Sequence, residues 1–378
     1  MSLGDVTPLR ARDHGIVIGT GAPGPYNAIT DVAGVTVGHT TLVRGEGARV
    51  VGEGPVRTGV TVVLPHGGSA FDEPVYAGLH WLNGNGEITG MAFLDEFGML
   101  ASPIGLTNTA SVGVVRDTIV EIEVASLGRG RQAWSLPVVG ETWDGTLNDI
   151  DGQHVKAEHV KAAYRAASTG PVAEGGVGGG TGMICHGFKG GIGTASRVLG
   201  EDEGGYSVGV LVQANHGSRE RLTVNGVPVG RHLDDVPRPT PPKFEGAGSI
   251  IGIIATDAPL LPHQCRRLAQ RAGLGIARTG GAGENSSGDG FLCFSTANRN
   301  LPANTLDADP PRTFDVTVLA DDYINPLFYA VIEATEEAIV NALVAGDTMT
   351  GADGVTVHGL DGKRLAGLLR DGVVPLAR

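Results

Sequence analysis

The sequence predicts a protein of mixed α and β structure, in the α/β (α+β) class. Short β-branched segments separated by glycine recur along the chain, and stretches in which apolar residues have helical spacing lie between them. Hydrophobic residues make up 41% and charged residues 18% of the 378 residues, a composition that excludes an intrinsically disordered chain. This length is ample for the buried core of one large domain or two ordinary ones.

The sequence patterns in the first half of the chain predict three strands and two helices. The strands are ITDVAGVTVGH, GVTVVLPH and ASVGVVRDTIVEIEV, at 29–39, 59–66 and 110–124. One helix is predicted within 72–100, where EPVYAGLHWLN mixes apolar and small residues at helical spacing and NGNGEITG at 83–90 is a turn-rich insert. The second helix spans 154–168 and has three apolar residues on one face, Val155, Ala162 and Ala166.

The second half of the chain continues this alternation. The predicted strands are YSVGVLVQAN, SIIGIIATDAPL, FLCFSTAN and TFDVTVLAD, at 206–215, 249–260, 291–298 and 313–321. A helix is predicted at 262–273, starting at Pro262 and stopping at Gly273. The last helix covers 325–343, and Pro326 is compatible with its first turn.

The net charge and the cysteine content restrict the classes of binding partner and the cellular compartment that we expect for this protein. The formal net charge of −13 argues against nucleic acid, because binding to nucleic acid relies on Lys and Arg to neutralise phosphates. The three separated cysteines, Cys185, Cys265 and Cys293, fit a reducing cytosol. The N-terminus has no signal-peptide pattern, and no apolar run of about 18 residues occurs, so we expect no membrane partner and a cytoplasmic location.

Three familiar kinds of site find no support in the sequence. The glycine-rich segments GGGTG and GFKGGIG lack the GK[ST] of a phosphate-binding loop, and instead predict tight backbone turns beside a pocket or ordinary turns. The histidines form no HExxH pair, and His154 and His159 lie five apart, off a common helical face. The GxSxG elbow of α/β-hydrolases is missing, and the serine-rich segment 286–289 has the composition of a turn. We therefore predict no metal and no cofactor.

The junction EGAG-SIIGIIATD offers a different chemistry. Residues 234–248 carry four prolines and predict an exposed, extended segment, and Ser249 starts the most strand-like run of the chain. The Ser249 hydroxyl can attack the Gly248 carbonyl, because glycine has no side chain to block the approach. Hydrolysis of the resulting ester leaves an α-amine whose pKa, about 7.7–8.0, suits a general base for its own hydroxyl. A Gly-Ser pair before a strand is otherwise most often an ordinary turn.

Eight ordered segments place this junction in a family context. They are 29–39, 140–152, 178–197, 208–217, 226–230, 248–281, 286–298 and 333–343. Together they resemble the L-aminopeptidase/D-esterase and β-peptidyl aminopeptidase family, over nearly the whole chain. The resemblance implies a four-layer αββα sandwich like that of the N-terminal nucleophile hydrolases. It also implies one domain, 1–378, that cleaves itself into an α subunit, 1–248, and a β subunit, 249–378.

The resemblance assigns roles to four catalytic residues. Ser249 falls on the nucleophile, and Ser287 and Asp289, in SSGD, fall on a serine and an acidic residue that assist it; the family carries Glu or Asp at the latter position. Asn215, at the end of VLVQAN, falls on the oxyanion-hole asparagine. Loss of such a donor typically costs about 100- to 1000-fold in rate.

Two further residues fall on the substrate pocket. Glu141 matches the carboxylate that holds the free amine of the substrate, and Trp143 stands where Tyr is expected. Trp keeps an aromatic wall but offers only a donor, which affects substrate preference more than chemistry. Thr335 and Glu337, on the last helix, are interpreted as structural.

The resulting hypothesis is an aminopeptidase or amidase for small peptides, amides or esters with a free amine, acting through an acyl-enzyme on Ser249. The family also suggests several αβ units assembled together. Two alternatives stay open. The same scaffold could hydrolyse a pantetheine-like amide or transfer acyl groups to an acceptor other than water, or the chain could be an unprocessed, non-catalytic binding protein. The sequence leaves the choice between L-, D- and β-amino acid substrates open.

Overall fold

A computed structural model describes residues 9–127, 132, 134–240, 248–302 and 311–371. The strands are β1 Thr36–Arg44, β2 Val56–Leu64, β3 Val75–Gly84, β4 Met99–Leu100, β5 Ile104–Asn108, β6 Val138–Thr142, β7 Ile184–Cys185, β8 Phe188–Lys189, β9 Gly191–Val198, β10 Ser207–Ala214, β11 Gly248–Thr256, β12 Ser287–Ser295, β13 Met349–Thr350 and β14 Thr356–Val357. The helices are α1 Met91–Phe97, α2 Val112–Ser126, α3 Ala157–Ala166, α4 Pro262–Arg278, α5 Asn325–Val344 and α6 Gly362–Asp371. Within these residues, none of the helices has the length and apolar character needed to cross a membrane.

Two mixed sheets organise the chain. The smaller has the order β1-β2-β5-β6, and the larger has the order β4-β3-β12-β11-β10-β9. Each sheet contains one parallel pair, β5 with β6 and β11 with β12, while the other neighbours are antiparallel. The short pairs β7-β8 and β13-β14 lie outside both sheets.

The two sheets pack face to face, with helices on the outer faces. One apolar cluster joins Val63 and Leu106 of the smaller sheet to Leu79, Leu211 and Ile251 of the larger sheet. A second cluster packs α4 and α5 against the larger sheet, and a third packs α2 and α3 against the smaller sheet. The result is the four-layer αββα sandwich predicted from the family resemblance.

Strand β11 runs through the middle of the larger sheet and is buried from Ser249 onward. Its side chains alternate between two cores: Ile251 and Ile253 lie between the sheets, and Ile250 and Ile254 face the helices. By this alternation, Ser249 lies on the face that looks toward the smaller sheet. The predicted strand at this position is confirmed, and its first residues are at the rim of the space between the sheets.

Two elements differ from the sequence prediction because the period of their apolar residues was assigned wrongly. The predicted helix within 72–100 is largely strand β3, in which Val75, Ala77 and Leu79 recur at period two and face the inter-sheet core. The predicted strand at 110–124 is helix α2, whose Val115 and Ile119 pack together on the smaller sheet. Tertiary packing on one helical face overrides the strand propensity of its β-branched residues.

Three smaller predictions also need correction. Residues 313–321 form no strand; the side chain of Asn298 holds this exposed segment by accepting from Thr317 N and donating to Thr317 O, both at 3.0 Å. Helix α4 continues past Gly273 to Arg278. The buried face of α3 is formed by Val160 and Ala163, not by the residues predicted for it. Of the predicted exposed segment 234–248, residues 241–247 lie outside the described part of the chain.

Candidate active site

Ser249 is held at the start of β11 by a reciprocal backbone pair. Its amide N–H donates to the Asn215 carbonyl at 3.2 Å, and its carbonyl accepts from the Asn215 N–H at 3.0 Å. Asn215 directly follows the last residue of β10, which is the antiparallel neighbour of β11. The side chain of Ser249 is buried. The sheet therefore places the predicted nucleophile opposite the predicted oxyanion donor.

The side-chain amide of Asn215 has a defined orientation. Its Oδ1 accepts from the backbone N–H of Ile184 at 2.9 Å, and its Nδ2 donates to the Trp143 carbonyl at 3.0 Å. The same Nδ2 lies 3.5 Å from Ser249 Oγ. Because the acceptor end is occupied by a backbone donor, the N–H₂ group is the end that faces the nucleophile. An N–H donor beside a nucleophilic oxygen can stabilise an oxyanion that forms there.

Gly248 precedes the nucleophile at a point with no room for a side chain. A Cβ on this residue would lie 2.9 Å from the Asn215 carbonyl oxygen and 2.9 Å from the Cα of His216. Both are backbone atoms, which cannot move aside as a flexible side chain could. The close approach of the two chain segments therefore requires glycine at position 248.

Ser287 and Asp289 lie on β12, the parallel neighbour of β11. Ser287 is the register partner of Gly248, and Asp289 is the partner of Ile250. The Ser287 hydroxyl donates to Asp289 Oδ1 at 2.7 Å, and both residues are buried. The pair thus stands beside the Gly248–Ser249 peptide bond. Sequence composition predicted a turn here, whereas the structure begins a strand at Ser287.

The carboxyl group of Asp289 is electrostatically perturbed. Burial raises the pKa of Asp289 to about 6, the hydrogen bond from Ser287 opposes this shift, and the charge of Glu284 adds to it. A backbone hydrogen bond from Ile250 also lowers the pKa of this group. A carboxyl group with a pKa near neutrality can exchange a proton with a neighbouring group at physiological pH.

Glu141 is a buried carboxylate at the end of β6 in the smaller sheet. Its Oε1 accepts from the Glu87 backbone N–H at 3.0 Å, and its Oε2 accepts from the Thr109 hydroxyl. Burial raises the pKa of Glu141, the two hydrogen bonds oppose the shift, and the charge of Glu87 adds to it. Among the described residues, these hydrogen-bond partners position the carboxylate without providing a cation, so it retains the capacity to bind one.

The Glu141 carboxylate approaches the start of β12, the strand that pairs with β11 at Ser249. A Cβ on Gly86 would lie 3.2 Å from both Glu141 Oε1 and the Cα of Gly288, which is the register partner of Ser249. Trp143, two residues after Glu141, has 44% of its surface exposed and contributes its carbonyl to the Asn215 amide. All six predicted site residues therefore lie around one end of the sandwich.

Sequence reasoning missed the residues that support this site. Thr109 and Glu87 orient Glu141, and the 83–90 segment was interpreted only as a turn-rich insert. Lys189 is fully buried and donates to three backbone carbonyls, those of Gly180, Met183 and Gly190, at 2.7–3.3 Å. Burial lowers the pKa of Lys189 to about 7. These bonds secure the segment before Ile184, whose N–H holds the Asn215 amide.

Thr335 and Glu337 lie in the helical layer, in line with their structural interpretation. Thr335 packs against α4, where a Cβ on Gly275 would lie 2.5 Å from Thr335 Cβ. Glu337 pairs with Arg12 at 2.6 Å and with Arg197 at 2.8 Å. Burial raises the pKa of Glu337, but the hydrogen bond from Arg12 and the charges of both arginines lower it overall.

Comparison with known proteins gives this site a family. The model of peptidase family S58 matches residues 27–357. The chain belongs to peptidase family S58. As an S58 member it is 50% identical over 372 residues to the β-peptidyl aminopeptidase BapA of Sphingosinicella microcystinivorans, covering 96% of this chain and 92% of that protein. This S58 peptidase is therefore a hydrolase of the aminopeptidase type.

Solved structures agree with this assignment. The β-aminopeptidase of a Burkholderia species is 56% identical, has a TM-score of 0.90, and the match covers 97% of this chain and 99% of that chain. The L-aminopeptidase D-Ala-esterase/amidase of Ochrobactrum anthropi is 44% identical with a TM-score of 0.87, over 96% and 98% of the two chains. It is described as a prototype of the serine aminopeptidases and a variant of the Ntn hydrolase fold, and the predicted family is thereby confirmed.

Proposed function

We propose that this S58 peptidase is a self-processing serine aminopeptidase whose nucleophile is Ser249. The supporting observation is the convergence of the Asn215 side-chain N–H₂ on the Ser249 hydroxyl, at a strand start where only glycine fits at position 248. The chain would be cut once, into an α subunit, 1–248, and a β subunit, 249–378, that remain one domain. Strands β10 and β12, on either side of β11, come from different subunits in this scheme and would hold them together.

Self-cleavage proceeds by an acyl shift. The Ser249 Oγ attacks the Gly248 carbonyl carbon, the C–N bond to Ser249 breaks, and an ester to Oγ forms while the nitrogen takes up a proton. Water then hydrolyses the ester, which leaves a carboxylate on Gly248 and a free α-amine on Ser249. Ser249 is buried, and the absence of a Cβ at position 248 leaves the approach to the Gly248 carbonyl unblocked, which favours this attack.

Turnover uses the liberated amine as the proton carrier. The amine takes the Oγ proton as the oxygen attacks the scissile carbonyl, the Asn215 N–H₂ stabilises the oxyanion, and the leaving amine receives the proton. Water then hydrolyses the acyl ester on Ser249. The Ser287–Asp289 pair stands at the level of the new terminus, where the carboxylate stabilises and orients the amine.

The substrate enters with its free amine on Glu141. A buried carboxylate oriented by two donors, Thr109 and the Glu87 amide, forms a strong ion pair with an ammonium group. This requirement selects the N-terminal residue of a peptide, amide or ester. We extend the proposal to β-amino acid residues, because the relatives of 50% and 56% identity are named for that activity. A cytoplasmic location and assembly of several αβ units stay predictions.

The test is the chain composition of the purified protein. We expect wild-type protein to give two bands on a denaturing gel, and mass analysis to find a polypeptide that starts SIIGII. The Ser249→Ala variant gives one full-length band. Ser207→Ala, at the opposite end of the neighbouring strand β10, is the matched control and gives two bands. An active wild-type preparation that consists only of the intact chain contradicts the proposal.

Activity is then measured on p-nitroanilides of L-alanine, D-alanine and β-homoalanine, each with a free and an acetylated amine. The proposal expects hydrolysis of the free-amine β-homoalanine substrate and loss of rate on acetylation. Equal hydrolysis of the free and acetylated forms would contradict the role of Glu141. Hydrolysis of only the L- or D-alanine substrates would contradict the extension to β-amino acids and leave the Ser249 chemistry intact.

A further inference from the structure

A cluster of metal-ligating side chains lies behind the oxyanion asparagine. Cys185, His186 and His216 each offer one ligand atom, and these three atoms all lie within 4.8 Å of one another. All three residues are buried. Cys185 follows Ile184 and His216 follows Asn215, so the cluster is built on the two segments that orient the Asn215 amide.

The turn between β7 and β8 brings the first two ligands together. His186 and Gly187 have positive φ angles of 48° and 70°, the conformation of a two-residue hairpin turn, and Cys185 is the last residue of β7. The His186 backbone N–H donates to the His216 carbonyl at 2.7 Å. This bond fixes the turn against the segment that carries the third ligand. The sequence did not indicate the cluster because His216 lies 31 residues after Cys185.

The spacing of two of the ligand atoms fits a tetrahedral metal ion. The Cys185 Sγ lies 3.8 Å from His216 Nδ1. Zn–S and Zn–N bonds of about 2.3 and 2.0–2.1 Å at a tetrahedral angle separate sulfur and nitrogen by about 3.5 Å. A shift of a few tenths of an ångström would therefore bring these two atoms into coordination.

His186 is already oriented as a ligand. Its Nδ1 lies 3.0 Å from the Ser218 carbonyl oxygen, an arrangement in which Nδ1 carries the proton and Nε2 carries the lone pair. Nε2 is buried and has no hydrogen-bond partner within the described residues. Metal-bound histidines typically donate their second ring nitrogen to a carbonyl in this way. An unpaired buried acceptor is otherwise costly, and a metal ion would satisfy it.

A nearby carboxylate suits a bound cation. The charge of Glu284 acts on His186, and Glu284 Oε1 is buried with no hydrogen-bond partner in the described part of the chain. Two neutral imidazoles and one thiolate around Zn²⁺ leave a net charge of +1, which this carboxylate would offset. Three protein ligands also leave the fourth position of a tetrahedron for water.

We propose that Cys185, His186 and His216 form a binding site for a thiophilic divalent cation of the Zn²⁺ type. Thiolate and imidazole ligands select zinc and related metals over the hard ions Mg²⁺ and Ca²⁺. Binding releases the Cys185 proton and forms one metal–sulfur bond and two metal–nitrogen bonds. The site is separate from the proposed nucleophile, and its ligands do no chemistry on the substrate. Its occupancy fixes the segment that follows Asn215.

The test uses Co²⁺ as a spectroscopic substitute for Zn²⁺. Tag-free wild-type protein is dialysed against a chelator, freed of the chelator, and incubated to equilibrium with increasing Co²⁺. We expect one equivalent to bind, with a thiolate-to-cobalt charge-transfer band that one equivalent of Zn²⁺ removes. Mg²⁺ at the same concentration leaves the band unchanged. Absence of a charge-transfer band in folded wild-type protein overturns the proposal, without reference to any variant or to activity.

Two variants and one matched control assign the ligands. Cys185→Ser abolishes the band, while Cys265→Ser, which changes another buried thiol outside the cluster, retains it. His186→Gln keeps a polar side chain and lowers the affinity for Co²⁺ by at least the 10- to 100-fold that is typical when an outer-shell partner of a metal ligand is lost. A band that survives Cys185→Ser, or an unchanged affinity in folded His186→Gln, contradicts the site. Failure here leaves the proposed aminopeptidase chemistry untouched, because absorption rather than turnover is measured.

Discussion

Replacing Asp289 by asparagine separates the charge of this carboxylate from its shape. Asn keeps an oxygen that can accept the 2.7 Å hydrogen bond from Ser287, but it cannot ionise. Burial raises the pKa of Asp289 to about 6, so about a tenth of the wild-type protein has this group ionised at pH 5. If the ionised form assists the Ser249 amine, kcat/KM must depend on this titration as well as on that of the amine.

The expected effect is a change in the slope of the pH profile. In wild-type protein, log kcat/KM rises with a slope of about one between pH 6 and 8, because the amine of pKa about 7.7–8.0 must lose its proton. Below pH 6 the protonation of Asp289 adds about one more unit of slope. The Asp289→Asn variant loses this extra unit, and Asp289→Glu, which restores a carboxylate, regains it. The assay is initial rate against pH on a free-amine p-nitroanilide; profiles of the same shape in all three proteins refute the role of Asp289.

Ionisation of Asp289, which should assist catalysis, should also lower the stability of the folded protein. A pKa raised from 3.8 to about 6 means that the folded protein holds this proton more tightly than the unfolded chain. The resulting stabilisation is complete below pH 4 and is lost as the pH rises through 6, a change of about 3 kcal/mol over roughly two pKa units. The Asp289→Asn variant has no titrating group at this position. Its free energy of unfolding, relative to that of the parent protein, should therefore rise by this amount between pH 4 and pH 8. Urea unfolding measures this difference in the Ser249→Ala background, in which the chain stays intact under the proposed mechanism. A difference in the free energy of unfolding that does not change with pH contradicts the raised pKa.

Three further substitutions test separate contacts. Asn215→Ala removes the donor beside the nucleophile and should lower kcat/KM of processed protein by about 100- to 1000-fold, as measured on a free-amine anilide. Glu141→Gln removes the partner of the substrate ammonium and should raise KM by about 30-fold with kcat nearly unchanged, and a fall in kcat alone would refute the binding role. Arg197→Met leaves the buried Glu337 without one of its arginines and should lower the free energy of unfolding by about 3–5 kcal/mol. The exposed pair Arg116–Asp117 is the control, since Arg116→Met should cost less than about 1 kcal/mol.

The strands and helices were predictable from the sequence where one period of apolar residues dominates a segment. The isoleucines of β11 pack alternately into two cores, and this pattern predicts a strand. Helix α5 is apolar around most of its circumference, and this pattern predicts a buried helix. Helix α2 and strand β3 were interchanged because both carry apolar residues at intervals that fit either period over a short window. Only packing against the smaller sheet decides that residues 112–126 are helical. The pairing of the two sheets is a long-range property that the family resemblance supplied and local patterns did not.

The residues of the proposed site could be named from the sequence, whereas the contacts that position them could not. Ser249, Asn215 and Glu141 fall within family-like segments, whereas Thr109 and Glu87 have no distinctive spacing in the sequence. Their roles depend on β5 and β6 ending beside the 83–90 segment, which is a consequence of sheet pairing. Paired ligands far apart in the sequence, such as those of the Cys/His cluster, are hidden for the same reason.

The position of Asn215 links self-cleavage to turnover in the proposed mechanism. Its backbone N–H and C=O hold both sides of Ser249, while its side chain directs a donor toward the Ser249 oxygen. The nucleophile and the oxyanion donor therefore share one backbone pair and cannot shift far relative to each other. When the Gly248–Ser249 bond breaks, the Ser249 nitrogen becomes an amine that can still donate to the Asn215 carbonyl, because β11 stays paired with β10. That single retained bond keeps the amine beside its own hydroxyl, which is the geometry a base needs to accept the proton.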